Sequence, residues 1–408
     1  MTKYMFRKLS FLLFWMLLIP SFMACENNRI VKASGEANDA EVDTIQTDTI
    51  SILVAGDLMQ HGPQLNAAFN GKSYDYKACF ELVSEEVKKA DLAIANFEVT
   101  LGGKPYKGYP CFSAPDEYLN DIIDAGFDIL TTGNNHCLDS GKRGLERTID
   151  MMDSIHVPHL GTYKDREERN KNYPLIVEKN NFKIALLNFT YATNGLRVKE
   201  PNVVNYIDTV EIAADILKAK AMHPDIIIAI PHWGIEYSLT PAKADKDLAN
   251  WLFRKGVDHI IGGHPHVVQP MECRNPGSAS GGNILVYSLG NYISNQSKPN
   301  TYGGAMVKMV FSKTDGKVRL EDYGYMLTYC SRPQVSGRRN YRIIPVERDD
   351  MMNATDKSLR DQYVKNMDNL FSKHNVDFGR FPYRASQKRD TLQTQPDTTR
   401  IDSFLNKD

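Results

Sequence analysis

Asp258-His259-Ile260-Ile261-Gly262-Gly263-His264-Pro265-His266 is a short apolar strand that runs into two glycines and two imidazoles. On an extended segment, side chains two apart face one way, so His264 and His266 are expected to form a chelating pair. The same pattern recurs along the chain. Residues 49–55 end at Gly56-Asp57, 91–95 at Asn96-Phe97-Glu98, and 127–132 at Gly133-Asn134-Asn135-His136. Residues 225–230 end at Pro231-His232, and 284–288 at Leu289-Gly290-Asn291. Residues 182–189 form a further apolar run. Helical spacing fills the intervals at 76–90, 115–125, 141–155, 208–221 and 242–255. Continuous apolar strands alternating with helices predict an α/β body built on a largely parallel sheet. From residue 305 the hydrophobic period becomes two, with a turn at Thr314-Asp315-Gly316, so antiparallel strands are expected to close the body. A last helix is expected at 358–371.

Ligands of open α/β sheets bind outside the carboxyl ends of the strands. If these strands are parallel, Asp57, Asn96, Glu98, Asn135, His136, His232, His264, His266 and Asn291 rise at one edge. Carboxylate, carboxamide and imidazole together suit Zn, Mn, Fe or Ni better than Ca or Mg. Taken singly, most have a plain structural reading. Gly56-Asp57 and Asn291 can be turn residues, and His232 can stack on Trp233. Asn134-Asn135-His136 is sharper, because three polar residues after an apolar strand are costly to bury unless satisfied. His61, His156, His159, His223, His259 and His374 lack such a setting and read as surface or capping residues. The chain has no G-x-S-x-G elbow, no G-x-x-x-x-G-K-[ST] phosphate loop and no dinucleotide fingerprint.

The 408 residues are 42% hydrophobic and 24% charged, with a net charge of −1, which excludes collagen-like and wholly disordered chains and gives no pull toward nucleic acid. Lys3, Arg7 and Lys8 precede an uncharged, mostly apolar run at 9–20 and then Ala24-Cys25. Residues 1–24 resemble a bacterial lipoprotein signal, with Cys25 as the lipidated residue. An exported lipoprotein on the periplasmic side or the cell surface is therefore expected, held to the membrane by lipid rather than by a span. Residues 25–49 read as a flexible tether and 50–350 as the folded body. Residues 351–383 read as a C-terminal helical extension and 384–408 as a loosely ordered tail. Five cysteines besides Cys25 include no C-x-x-C, so the core is expected to be hydrophobic rather than stapled.

Six blocks in order carry a family resemblance. They are Gly56-Asp57-Leu58-Met59, Asn96-Phe97-Glu98, 133–141 around Asn135-His136, 232–237 around His232-Trp233, 263–269 around His264-Pro265-His266, and Ser288-Leu289-Gly290-Asn291-Tyr292. Over residues 50–295 the chain resembles the capsule-synthesis CapA family, associated with poly-γ-glutamate capsules. That family is similar to calcineurin-like metallophosphoesterases, which implies a four-layer α/β/β/α sandwich with a two-metal site. The resemblance implies one or two divalent ions (Mn, Zn or Fe) on Asp57, Glu98, Asn135, His232, His264 and His266. Met59 stands where the phosphoesterases place a histidine, and Glu98 replaces a bridging aspartate. His136 would act as the acid, oriented by Asp139, and Asn96, Asn134 and Asn291 would contact substrate. The implied function is a metal-dependent hydrolase or transferase acting on phosphoester or amide bonds. Its substrate would be an anionic envelope polymer or a small phosphoester, with capsule-synthesis membrane proteins as partners. The rival, favoured by Met59, is a non-catalytic polymer-binding or capsule-anchoring protein of the same fold.

Overall fold

The strand Thr47–Leu58 shows how the layers arise. Ile50, Ile52 and Val54 point into one hydrophobic cluster, and Leu53 and Ala55 point into another. A strand that is apolar on both faces must be covered on both faces. The first cluster joins these residues to Ile184, Leu186, Ile226 and Ile228 of a second sheet. The other joins them to Cys79, Phe80, Val87, Tyr118, Leu119 and Ile122 of helices on the outside. Ile212, Ile216, Ala219, Ala249 and Leu252 cover the far face of the second sheet from the helices Thr209–Ala221 and Lys243–Lys255. The result is the four-layer α/β/β/α sandwich.

The computed structural model describes residues 46–381. The expected signal at 1–24, lipidation of Cys25, most of the tether and the tail at 384–408 lie outside the described residues. The first sheet has eight strands. Thr47–Leu58, Leu92–Phe97, Ile129–Thr131 and His159–Leu160 run parallel. Gly303–Thr314, Lys317–Ser331 and Arg342–Pro345 continue it antiparallel on the other side. The eighth strand, Asn291–Ile293, pairs parallel with the end of Thr47–Leu58. In the second sheet Phe182–Thr190, Ile226–His232, His259–Ile261 and Asn283–Val286 are parallel. Leu175–Lys179 and Met271–Arg274 are its antiparallel edges.

Three expectations need correction. The tether does not reach residue 49, because Thr47, Asp48 and Thr49 already pair with Thr314, Lys313 and Ser312. The helix expected over 76–90 is two short pieces, Lys77–Phe80 and Ser84–Lys88. Phe80, Val83 and Val87 still face the core, but the backbone between tightens to a Val83 N–H to Phe80 carbonyl bond of 3.0 Å. His259 is not a surface residue. It is buried, its Nδ1 accepts the Ile284 N–H at 3.1 Å, and its ring meets Phe311 edge-on.

Burial lowers the His259 imidazole to about 3 from its ordinary 6.5. The unfolded chain therefore takes up a proton in acid that the folded protein refuses. Stability from this group is present above about pH 6.5 and is lost as pH falls toward 3. Between pH 7 and pH 5 the loss is about 2 kcal/mol. Urea unfolding of His259→Asn, which keeps an acceptor, should show a flatter pH profile than the parent over that interval.

Candidate metal centre

Both sheets deliver their strand ends to the same edge. Asp57 ends the first strand, and a register shift at Gly56 turns it there. Gly56 is required because a Cβ would sit 2.0 Å from the Gly290 carbonyl oxygen, and the Asp57 N–H bonds that same oxygen at 3.0 Å. His232 ends a strand of the second sheet, and Gly263 bridges to it. Gly263 also leaves room for Asp57, whose Oδ1 would lie 2.9 Å from a Cβ. Asn188 ties the sheets together by accepting the Gly133 N–H and donating to the Ile230 carbonyl, both at 2.8 Å.

Asp57, Glu98, His232, His264 and His266 are all at least 98% buried. Glu98 is the common member. Its ligand atoms group with those of His264 and His266, and again with those of Asp57 and His232, each group within 4.8 Å. Glu98 Oε1 lies 3.7 Å from His232 Nε2 and 4.0 Å from His266 Nε2. It has no hydrogen-bond partner, and neither has His264 Nδ1. Among the described residues, the ion pairs of Asp57 and Glu98 are with imidazoles alone. Two buried carboxylates, three imidazoles and two orphaned acceptor-capable atoms fit a divalent cation with mixed oxygen and nitrogen ligands. Burial, and then the charge of Asp57, push the Glu98 carboxyl well above the usual carboxylate range. Burial lowers His264 to about 3 and His232 well below 6.5, with neighbouring imidazoles adding to both. His232 and His264 are thus neutral, the form that binds metal.

The pair His264 and His266 is brought to the site, but not by an extended segment. Their φ angles are +101° and +61°, so the backbone turns through the left-handed region at each. Such conformations cost about 1–3 kcal/mol and mark places where position outweighs comfort. His266 Nδ1 donates to Asn291 Oδ1 at 3.0 Å, leaving Nε2 for a ligand. Asn135 Oδ1 lies 2.8 Å from His232 Nε2. His232 does not stack on Trp233, whose indole instead donates to the Tyr287 carbonyl at 2.8 Å.

The three asparagines expected to contact substrate are committed within the protein. Asn96 donates to Asp57 Oδ1 at 2.8 Å and Glu98 Oε2 at 3.2 Å. Asn134 donates to Asn96 Oδ1 at 3.1 Å and to the Phe97 carbonyl at 2.9 Å. Asn291 donates to Gln296 and to the Thr301 carbonyl while it holds His266. They position ligands from behind. His136 Nδ1 lies 2.8 Å from Asp139 Oδ2, which also accepts the Phe112 N–H at 2.7 Å. Met59 is buried in the helix-side cluster with Leu58 and Tyr292.

Further residues border the centre. Tyr191 lies over His264 with ring centroids 4.4 Å apart. Asn194 accepts from Asn135 Nδ2 at 3.1 Å. Tyr237 leans on His266 at 6.0 Å. His61 caps the helix Gly62–Ala68, as a capping histidine should, yet Phe112 links its ring to that of His136 at 5.2 and 4.7 Å. Burial lowers His61 to about 4, and nearby His266 and His136 oppose its charge. Its only sequence signal was its place four residues after Asp57. Tyr191 and Asn194 sit on a loop with no motif.

Residues 51–296 match the family model of the bacterial capsule synthesis protein PGA_cap. The "Capsule biosynthesis protein CapA" of Bacillus anthracis is 27% identical over 281 residues, 66% of this chain and 66% of that protein. The "PGA biosynthesis protein CapA" of Bacillus subtilis is 28% identical over 294 residues, 71% of this chain and 74% of that one. Among solved structures, the calcineurin-like phosphoesterase YfkN of Bacillus subtilis aligns with a TM-score of 0.43 at 18% identity, covering 80% of this chain and 99% of the other. The family match takes in more than half of the chain and every strand end of the candidate centre, and the chain belongs to the bacterial capsule synthesis protein PGA_cap family.

Proposed function

We propose that the protein is a metal-dependent hydrolase or transferase of capsule biosynthesis, acting on phosphoester or amide bonds of an anionic envelope polymer such as poly-γ-glutamate. The observation that carries this reading is Glu98 Oε1, buried without a partner and shared by two ligand groups. Asp57, Glu98, Asn135, His232, His264 and His266 would hold one or two divalent ions. When bound, such an ion supplies Lewis-acid polarisation and water activation. The chain's own residues do the rest. Asn96 keeps both carboxylates oriented through one amide. Asn291 fixes the His266 tautomer. Asp139 accepts from His136 Nδ1, which leaves Nε2 to pass a proton to a departing oxygen or nitrogen. Export through residues 1–24, anchoring through lipid on Cys25, and association with capsule-synthesis membrane proteins belong to the same proposal. They place the centre on the side of the membrane where an envelope polymer is handled.

The burial of Met59 in the apolar core favours a second reading, a polymer-binding or anchoring protein with a reduced ligand set. One experiment separates them. The full chain is incubated with aryl phosphoesters and with γ-linked glutamate oligomers, with Mn²⁺ or with chelator. The enzyme reading expects turnover of one class that chelator abolishes. No turnover of either class, in protein that purifies without stoichiometric metal, supports the binding reading.

A further inference from the structure

The loop after His232 carries a strained residue that the metal centre does not use. Tyr237 has φ +66°, a conformation that residues other than glycine rarely adopt. It is held there by its N–H, which donates to the carbonyl of Pro265 at 2.8 Å, between the two histidines of the ligand loop. The strain puts the Tyr237 ring against His266 on one side. On that ring lies the ammonium of Lys298, 3.5 Å from the centroid. The Lys298 ammonium can therefore stand no farther from the His266 imidazole than those two spacings laid end to end.

Lys298 is exposed, and among the described residues it takes part in none of the carboxylate ion pairs. Its backbone is not loose. The Lys298 carbonyl accepts from the Thr301 N–H at 3.1 Å and from Thr301 Oγ1 at 2.8 Å. The Thr301 carbonyl accepts from Asn291 Nδ2 at 2.9 Å, and Asn291 holds His266. So the turn bearing the cation and the ligand it overlooks share one hydrogen-bonded path. A ring face steadies an exposed ammonium by about 0.5–1 kcal/mol without neutralising it. The charge keeps its pull on an anion, with the Glu236 carboxyl beside Tyr237 as its acidic neighbour on that loop.

We propose that Lys298, held on Tyr237, is a specificity-determining residue that binds a second anionic group of the substrate, a carboxylate lying beyond the bond at the metal centre. The site is thereby built for an extended polycarboxylate chain rather than a lone phosphomonoester. This rests on the polymer reading above and narrows it. Lysine suits the task because it is a compact point charge on a flexible stem, able to follow successive carboxylates along a chain.

The test is calorimetric binding to the full chain, metal-free and loaded with Mn²⁺. The probes are a short γ-linked glutamate oligomer, the same oligomer with its carboxyls amidated, inorganic phosphate and inorganic polyphosphate. Lys298→Gln should weaken the charged oligomer roughly tenfold, and Lys298→Arg by no more than about twofold. Both should leave the Mn²⁺ content, phosphate binding and amidated-oligomer binding as in the parent. The parent's oligomer affinity should fall with salt more steeply than that of Lys298→Gln. Unchanged oligomer binding in Lys298→Gln overturns the proposal. So does an equal loss for the amidated oligomer, which marks a structural role, or tighter binding of polyphosphate that the same variant loses. Absence of bound Mn²⁺ in the parent counts against the metal reading instead, and the oligomer comparison in metal-free protein still decides for or against Lys298.

Discussion

A Glu98→Gln variant is expected to purify without divalent metal while keeping its fold. Glu98 is the one residue common to both ligand groups, so its loss removes an anionic ligand from each. An amide of the same shape keeps the hydrogen bond from Asn96 but donates no charge to a cation. Metal affinity should drop roughly a hundredfold or more, beyond the 10–100-fold typical for residues that merely support a ligand. Thermal unfolding gives a second readout with opposite signs. The parent should gain stability on adding Mn²⁺, since an ion that binds only the folded state stabilises it. The variant should not. In metal-free protein the order reverses. Burial and the proximity of Asp57 raise the Glu98 carboxyl above its ordinary 4.5. The folded state then holds that proton more tightly than the unfolded chain. The stability this gives is full below pH 4.5 and is lost as pH rises through the folded value. Metal-free Glu98→Gln should escape that loss. A variant that keeps stoichiometric metal would remove Glu98 from the centre.

The second large effect is expected at His136. Its Nδ1 is engaged by Asp139, which itself is fixed by the Phe112 N–H. Phe112 also closes one side of the imidazole, edge-on at 4.7 Å. This arrangement sets one nitrogen for orientation and frees the other for proton transfer. His136→Gln should lower turnover by about 10²–10⁴, the usual worth of a positioned general acid, with metal content unchanged. Asp139→Asn should cost less, because the ring remains but its tautomer is no longer enforced. Loss of metal in His136→Gln would make it a ligand rather than an acid. Unchanged turnover would leave it a packing residue.

The strand ends were legible in the sequence because burial makes polar residues conspicuous there. Asp57, Glu98, His232, His264 and His266 stood out against apolar runs and do meet around a common volume. What the sequence hid was conformational. His264 and His266 reach the centre through left-handed backbone, which no alternation of side chains foretells. The internal partners of the asparagines were hidden too: Asn96 and Asn291 brace a carboxylate and an imidazole, and Asn134 braces Asn96, because a carboxamide has donors and acceptors on both sides. The alternation of strands and helices gave the α/β class, while the division into two sheets depended on long-range pairing. Ile50 and Leu53 read alike in sequence, yet they enter different clusters. Lys298 and His61 carried no motif, and only the chain's return at Asn291–Ile293 brings the first of them near the ligands.

The most direct measurement is an anomalous difference map from crystals of the full chain equilibrated with Mn²⁺. One or two peaks are predicted within coordination distance of Glu98 Oε1, with His232, His264 or His266 and Asp57 completing each. Crystals that show these side chains in place and no peak among them would contradict a cation at the meeting of the two sheets.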